Sequence, residues 1–156
     1  MNRIEVLKGF LNENPNDSFS RYALALEYVK LGQDDDALRE FETVKANDPA
    51  YVATYFQLGQ LYQKLGRSHE AEKTFRTGIT VAAKAGDDHT RSELEGALET
   101  LKQAEAENKV TSERQIQQLK NDKEIQVASL HQRLDKLVIE LEAAQRPWWK
   151  KWLGQV

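Results

Sequence analysis

Displacing the sequence by 34 residues superimposes it on itself, and this self-similarity constrains the fold more than any single motif. Leu24 falls on Leu58, Tyr28 on Tyr62, and Lys30-Leu31-Gly32 on Lys64-Leu65-Gly66. Ala37 falls on Ala71, Phe41 on Phe75 and Thr43 on Thr77. The same shift backwards carries Pro49 to Pro15 and Phe41 to Leu7. All of these matches share one ungapped register. A unit of this length is one supersecondary element that cannot bury its apolar face alone, so neighbouring units must stack.

Each unit reads as a pair of helices. In residues 18–51 the first helix runs over 18–31 and stops at Gly32; Asp34 or a neighbour caps the second, which ends before Pro49. In residues 52–85 the first helix runs over 52–65 and stops at Gly66, and Ser68 caps the second, to about residue 84. Ala37 and Ala71 are small enough for close helix approach, and Phe41 and Phe75 fill the space one turn later. Residues 2–14 read as a lone second helix with Ile4, Leu7, Phe10 and Leu11 on one face. After Gly86, Asp87-Asp88 caps a terminal helix over 87–104, in which Leu94, Ala97, Leu98 and Leu101 recur at helical spacing. With only three prolines, the expectation is an all-α chain.

This pattern resembles the tetratricopeptide repeat (TPR): an aromatic residue, Leu-Gly, Tyr, Ala, Phe, then Pro. The second unit matches at Tyr55, Leu58-Gly59, Tyr62, Ala71 and Phe75, with Ala83 where Pro is usual. The first matches at Leu24, Tyr28, Ala37, Phe41 and Pro49, with Ala25 for Gly and Arg21 for the aromatic. The resemblance implies a TPR domain over 1–104: half a repeat, two full repeats and a capping helix.

On a helical wheel Leu24, Ala25, Tyr28 and Leu31 form the stacking side, while Phe19, Tyr22, Leu26 and Val29 lie opposite. Ala53, Phe56, Gln60 and Gln63 are their counterparts in the second unit. The resemblance makes this second face the wall of a peptide-binding groove, and Phe19, Tyr22, Leu26, Val29, Phe56, Gln60 and Gln63 its candidate residues. The occupant is an external peptide or helix, the chain's own tail or a second copy. Relatives that grip the acidic C-terminus of a chaperone do so with Lys, Asn and Arg at positions matching Tyr22, Leu26, Gln60, Thr90 and Leu94. No cation stands at any of them, so a carboxylate would lack its partners and apolar side chains are the expected ligand.

The last third changes character. Residues 105–146 are rich in Gln, Glu and Lys, and Val127, Leu130, Leu134, Leu137, Leu141 and Ala144 alternate at three and four residues. This is the seam of a short coiled coil, which would pair with another chain or fold back on the array. Upstream, Lys120 and Lys123 interrupt it. Ser112 followed by Gln115 suggests a helix break near 108–112. Residues 147–156 carry all three tryptophans, and Trp148, Trp149, Trp152 and Leu153 with Lys150 and Lys151 would form an amphipathic tail anchor. Its candidate partners are a protein groove, a membrane surface and the chain itself; with two lysines, nucleic acid is disfavoured.

Composition narrows the classes further. The absence of cysteine excludes disulfides and thiolate chemistry, and a net charge of −3 gives no bulk attraction to nucleic acid. His69, His89 and His131 are scattered without metal-ligand spacing. Asp34-Asp35-Asp36 lacks the Gly and Glu of a calcium loop, and glycines occur singly. The expectation is a non-enzymatic scaffold with no metal and no cofactor. The N-terminus does not read as a secretory signal, which makes a cytoplasmic location the default, peripheral to a membrane if the tail anchors it.

Overall fold

The computed structural model describes residues 2–145. Six helices lie among them: α1 (Arg3–Glu13), α2 (Ser18–Lys30), α3 (Asp34–Asn47), α4 (Ala53–Lys64), α5 (Ser68–Ala85) and α6 (Asp88–Gln145). The chain separates into two units, Met1–Glu105 and Ala106–Val156.

The first unit is the repeat array. Its core joins Leu7 and Leu11 of α1 to Leu24, Ala25 and Tyr28 of α2, Ala37 and Phe41 of α3, Tyr55, Leu58 and Tyr62 of α4, Ala71 and Phe75 of α5, and Leu94, Leu98 and Leu101 of α6. Ala37, Phe41, Ala71 and Phe75 are fully buried, as the repeat spacing predicts. Each hairpin turns at a glycine. Gly32 and Gly66 have φ of 70° and 71°, a left-handed conformation that costs glycine least. The next amide closes the helix in each case: Gln33 N donates to Tyr28 O at 2.9 Å and Arg67 N to Tyr62 O at 2.9 Å.

Arg21, the residue that breaks the aromatic signature, repeats the polar contact of its counterpart. The Tyr55 hydroxyl donates to Pro49 O at 2.7 Å, and the Arg21 guanidinium donates to Pro15 O at 2.7 Å. A second guanidinium nitrogen binds Glu40 of α3 at 2.7 Å. Both side chains tie the first helix of a hairpin to the proline turn before it. The guanidinium does so with charge-assisted bonds in place of a phenol.

Four expectations need correction. Asp34 does not cap α3: Gln33 holds that place without a side-chain bond, and Asp34, Asp35 and Asp36 fill the first turn, where the helix dipole favours carboxylates. Ser68 does not cap α5 either, since Arg67 precedes the helix and Ser68 is its first residue. No break occurs near 108–112. The Thr111 hydroxyl bonds back to Glu107 O at 2.9 Å, and α6 runs unbroken for 58 residues through a stretch of good helix formers without proline. Finally, Leu31 does not join the stacking side: it is the C-cap residue of α2 and is 61% exposed. The second helix of the next unit runs to Ala85 as expected, 18 residues against 14 for α3, with Ala83 standing where a proline would stop it. The first helices still start at an even spacing, at Ser18, Ala53 and Asp88, but the buried leucines of α6, Leu94 and Leu98, fall two residues later than the 34-residue register of Leu58 and Tyr62 places them.

One buried polar atom stands out. The Thr54 hydroxyl is fully buried and finds no partner among the described residues. Thr54→Val keeps the shape and removes the desolvated group, so it is expected to stabilise the domain by about 1 kcal/mol. Thermal melts of the two proteins would check this.

Candidate functional site

The candidate groove residues sit on α2 and α4 and differ in how far they are free. Phe19, in the first turn of α2, is 67% exposed. Tyr22, Leu26, Val29 and Phe56 are half-buried and pack partly against the core. Tyr22 is the most committed of these, with its ring centroid 5.7 Å from Phe41 and 5.3 Å from Tyr51. Burial, with Tyr51 beside it, raises its phenol pKa above the usual value. The ring is thus a neutral wall at physiological pH and a structural support as well.

On α4, Phe56, Gln60 and Gln63 occupy successive turns of one face. Together with Glu93, Ala97 and Thr100 of α6 they line a cavity of ≈ 340 Å³. The floor is apolar at Phe56 and Ala97; the amides of Gln60 and Gln63 and the Thr100 hydroxyl can donate or accept. Glu93 lies near His89, 3.5 Å away. Sequence reasoning missed Glu93, Ala97 and Thr100, although α6 continues the same three-and-four spacing.

Burial within α6 also revises the chaperone-tail comparison. Leu94 is core and cannot face a ligand.

In the second unit, Val127, Leu130, Leu134, Leu137 and Leu141 are all exposed on α6. The tail residues Trp148, Trp149, Lys150, Lys151, Trp152 and Leu153 lie outside the described residues. Among the described residues no cluster of three or more His, Cys, Asp or Glu side chains is placed to hold a metal ion, and no helix is long and apolar enough to cross a membrane.

Comparison with known proteins agrees with this architecture. A family model for the tetratricopeptide repeat matches residues 52–84. The solution structure of a tetratricopeptide repeat domain protein from Salinibacter ruber is 42% identical, with 56% of this chain and 89% of that chain aligned at a TM-score of 0.54. The chain belongs to the tetratricopeptide repeat family. More distant TPR-fold structures share the architecture alone. The TPR2B domain of yeast Sti1, solved as a complex with pHsp70, is 16% identical over 65% of this chain and 81% of that chain, with a TM-score of 0.61. SycD, a type III secretion translocator chaperone from Yersinia enterocolitica, is 18% identical over 66% and 72%, with a TM-score of 0.62. No curated protein sequence gives a significant match. As a TPR protein, the chain is a protein-interaction scaffold in the general sense of its family.

Proposed function

We propose that this TPR domain binds an apolar peptide or helix, using the face that runs from Phe19 through Tyr22, Leu26 and Val29 to Phe56, Gln60 and Gln63. The observation that carries the reading is the cavity lined by Phe56, Gln60, Gln63, Ala97 and Thr100, with an apolar floor and neutral hydrogen-bonding groups. Sti1, which shares the fold, is captured with pHsp70. The cation-free groove here selects different chemistry: apolar anchors, with side-chain amides free to bond a peptide backbone. The reading is of a non-catalytic adaptor, with the exposed seam of α6 as a second contact surface.

The test is selection of a displayed peptide library against the full-length protein, followed by fluorescence anisotropy on the enriched sequences. Apolar peptides are expected to dominate. Phe19→Glu and Gln60→Lys, both at exposed positions, should weaken them at least about tenfold, or about 1.4 kcal/mol. Glu72→Ala on α5 should not. Enrichment of acidic C-termini, or affinity indifferent to both groove substitutions, would refute the reading. Tyr22→Ala is a poor probe, because it also removes the contact with Phe41. The alternative, a scaffold tethered to membranes by the Trp-Lys tail, predicts that the full chain floats with anionic liposomes and that Trp148→Ser with Trp152→Ser abolishes flotation.

A further inference from the structure

Residues 106–144 are exposed throughout, and an isolated helix in water is held up mainly by whatever covers its apolar side. Here that side is narrow and regular. Val127, Leu134 and Leu141 occupy the first position of successive heptads, and Leu130, Leu137 and Ala144 the fourth. The five larger side chains are 51% to 61% exposed. Knobs-into-holes packing against such a stripe requires a partner with the same alternation, and a second copy of this chain supplies it.

The two orientations of a second copy differ in charge. Parallel, in-register pairing puts Arg133 beside Val138 of the partner copy and Glu140 beside Gln145, so no ion pair flanks the seam. Continued upstream, it sets Lys120 against Lys120 and Lys123 against Lys123. Antiparallel pairing about a two-fold axis between Asp135 and Lys136 gives a different result. Leu134 then meets Leu137 of the partner copy, Leu130 meets Leu141, and Val127 meets Ala144. Every layer over 127–144 is apolar in this orientation as in the parallel one, so the flanking charges distinguish the two. At the flank, Arg133 of each copy faces Glu140 of the other, making two opposite-charge contacts related by the axis. Val138 widens the contact on the other flank beside His131. Ile139 is not covered in either arrangement.

We propose that the protein is an antiparallel homodimer joined through residues 127–144 of α6. This seam is about 27 Å long at 1.5 Å per residue, short enough that the dimer should dissociate measurably on dilution. Each dimer carries two peptide grooves, which raises avidity for any ligand with two binding segments.

The absence of cysteine makes the test clean. Sedimentation equilibrium of the full-length protein is expected to show a monomer–dimer equilibrium in the micromolar range. Leu134→Asp, at a position that contributes nothing to the core, should leave a monomer. Mixed under oxidising conditions, Leu130→Cys and Leu141→Cys proteins should cross-link to each other, and neither should cross-link efficiently alone. Glu140→Arg should weaken the dimer about tenfold, and adding Arg133→Glu should restore it. A wild type that stays monomeric at several hundred micromolar, a trimer or larger assembly, or self-cross-linking of Leu130→Cys alone would overturn the proposal. None of these outcomes bears on peptide binding by the groove.

Discussion

Phe75→Ala is expected to destabilise the repeat domain by about 3–5 kcal/mol. Phe75 is fully buried, and its ring occupies the space left by a missing side chain on the neighbouring helix. A Cβ on Gly59 would lie 2.2 Å from Phe75 Cε1 and 2.7 Å from Cζ. Gly59→Ala alone should therefore overpack the α4–α5 contact and cost about 1–3 kcal/mol. The two positions share one volume, so their effects should not add. Gly59→Ala combined with Phe75→Leu should be more stable than the sum of the single losses by at least about 1 kcal/mol. Urea denaturation of the four proteins measures the coupling, and strict additivity would contradict the packing described.

The second large effect separates two glycines that the sequence presents alike. Gly78 and Gly96 are each in the interior of a helix, where alanine is intrinsically better by about 1 kcal/mol. A Cβ on Gly78 would stand 2.5 Å from Tyr55 Cβ and 3.0 Å from Leu94 Cδ1. Tyr55 Cβ is fixed to the α4 backbone and cannot rotate away, so Gly78→Ala must push two helices apart. A net loss of about 1–3 kcal/mol is expected, with a fall in Tm of several degrees. A Cβ on Gly96 meets nothing within 4 Å. Gly96→Ala should raise the Tm, by up to about 1 kcal/mol of stability. Calorimetry on both variants is decisive: shifts of the same sign would show that propensity, not contact, governs the two sites.

How much of this was legible beforehand depends on the range of the interactions. Gly32, Gly66, Ala37, Ala71, Phe41 and Phe75 announce themselves, because the same local contact is solved twice at a spacing of 34 residues. Helix caps were harder. An N-cap is defined by one backbone angle, and Asp34 and Ser68 satisfy the composition rule while standing one residue inside their helices. The lining of the cavity between α4 and α6 was half legible. Phe56, Gln60 and Gln63 follow from the α4 periodicity, whereas Glu93, Ala97 and Thr100 depend on which side of α6 lies against α4.

The sequence by itself determined the all-helical class, the hairpin repeat and most of its core, because periodicity, glycine turns and proline stops are local and act wherever the chain goes. Tertiary structure alone decided which small residues are slots and which are free. It also decided that Arg21 stands in for an aromatic at a proline carbonyl. Those outcomes depend on distances between helices remote in sequence, where a shift of two residues exchanges a buried face for an exposed one.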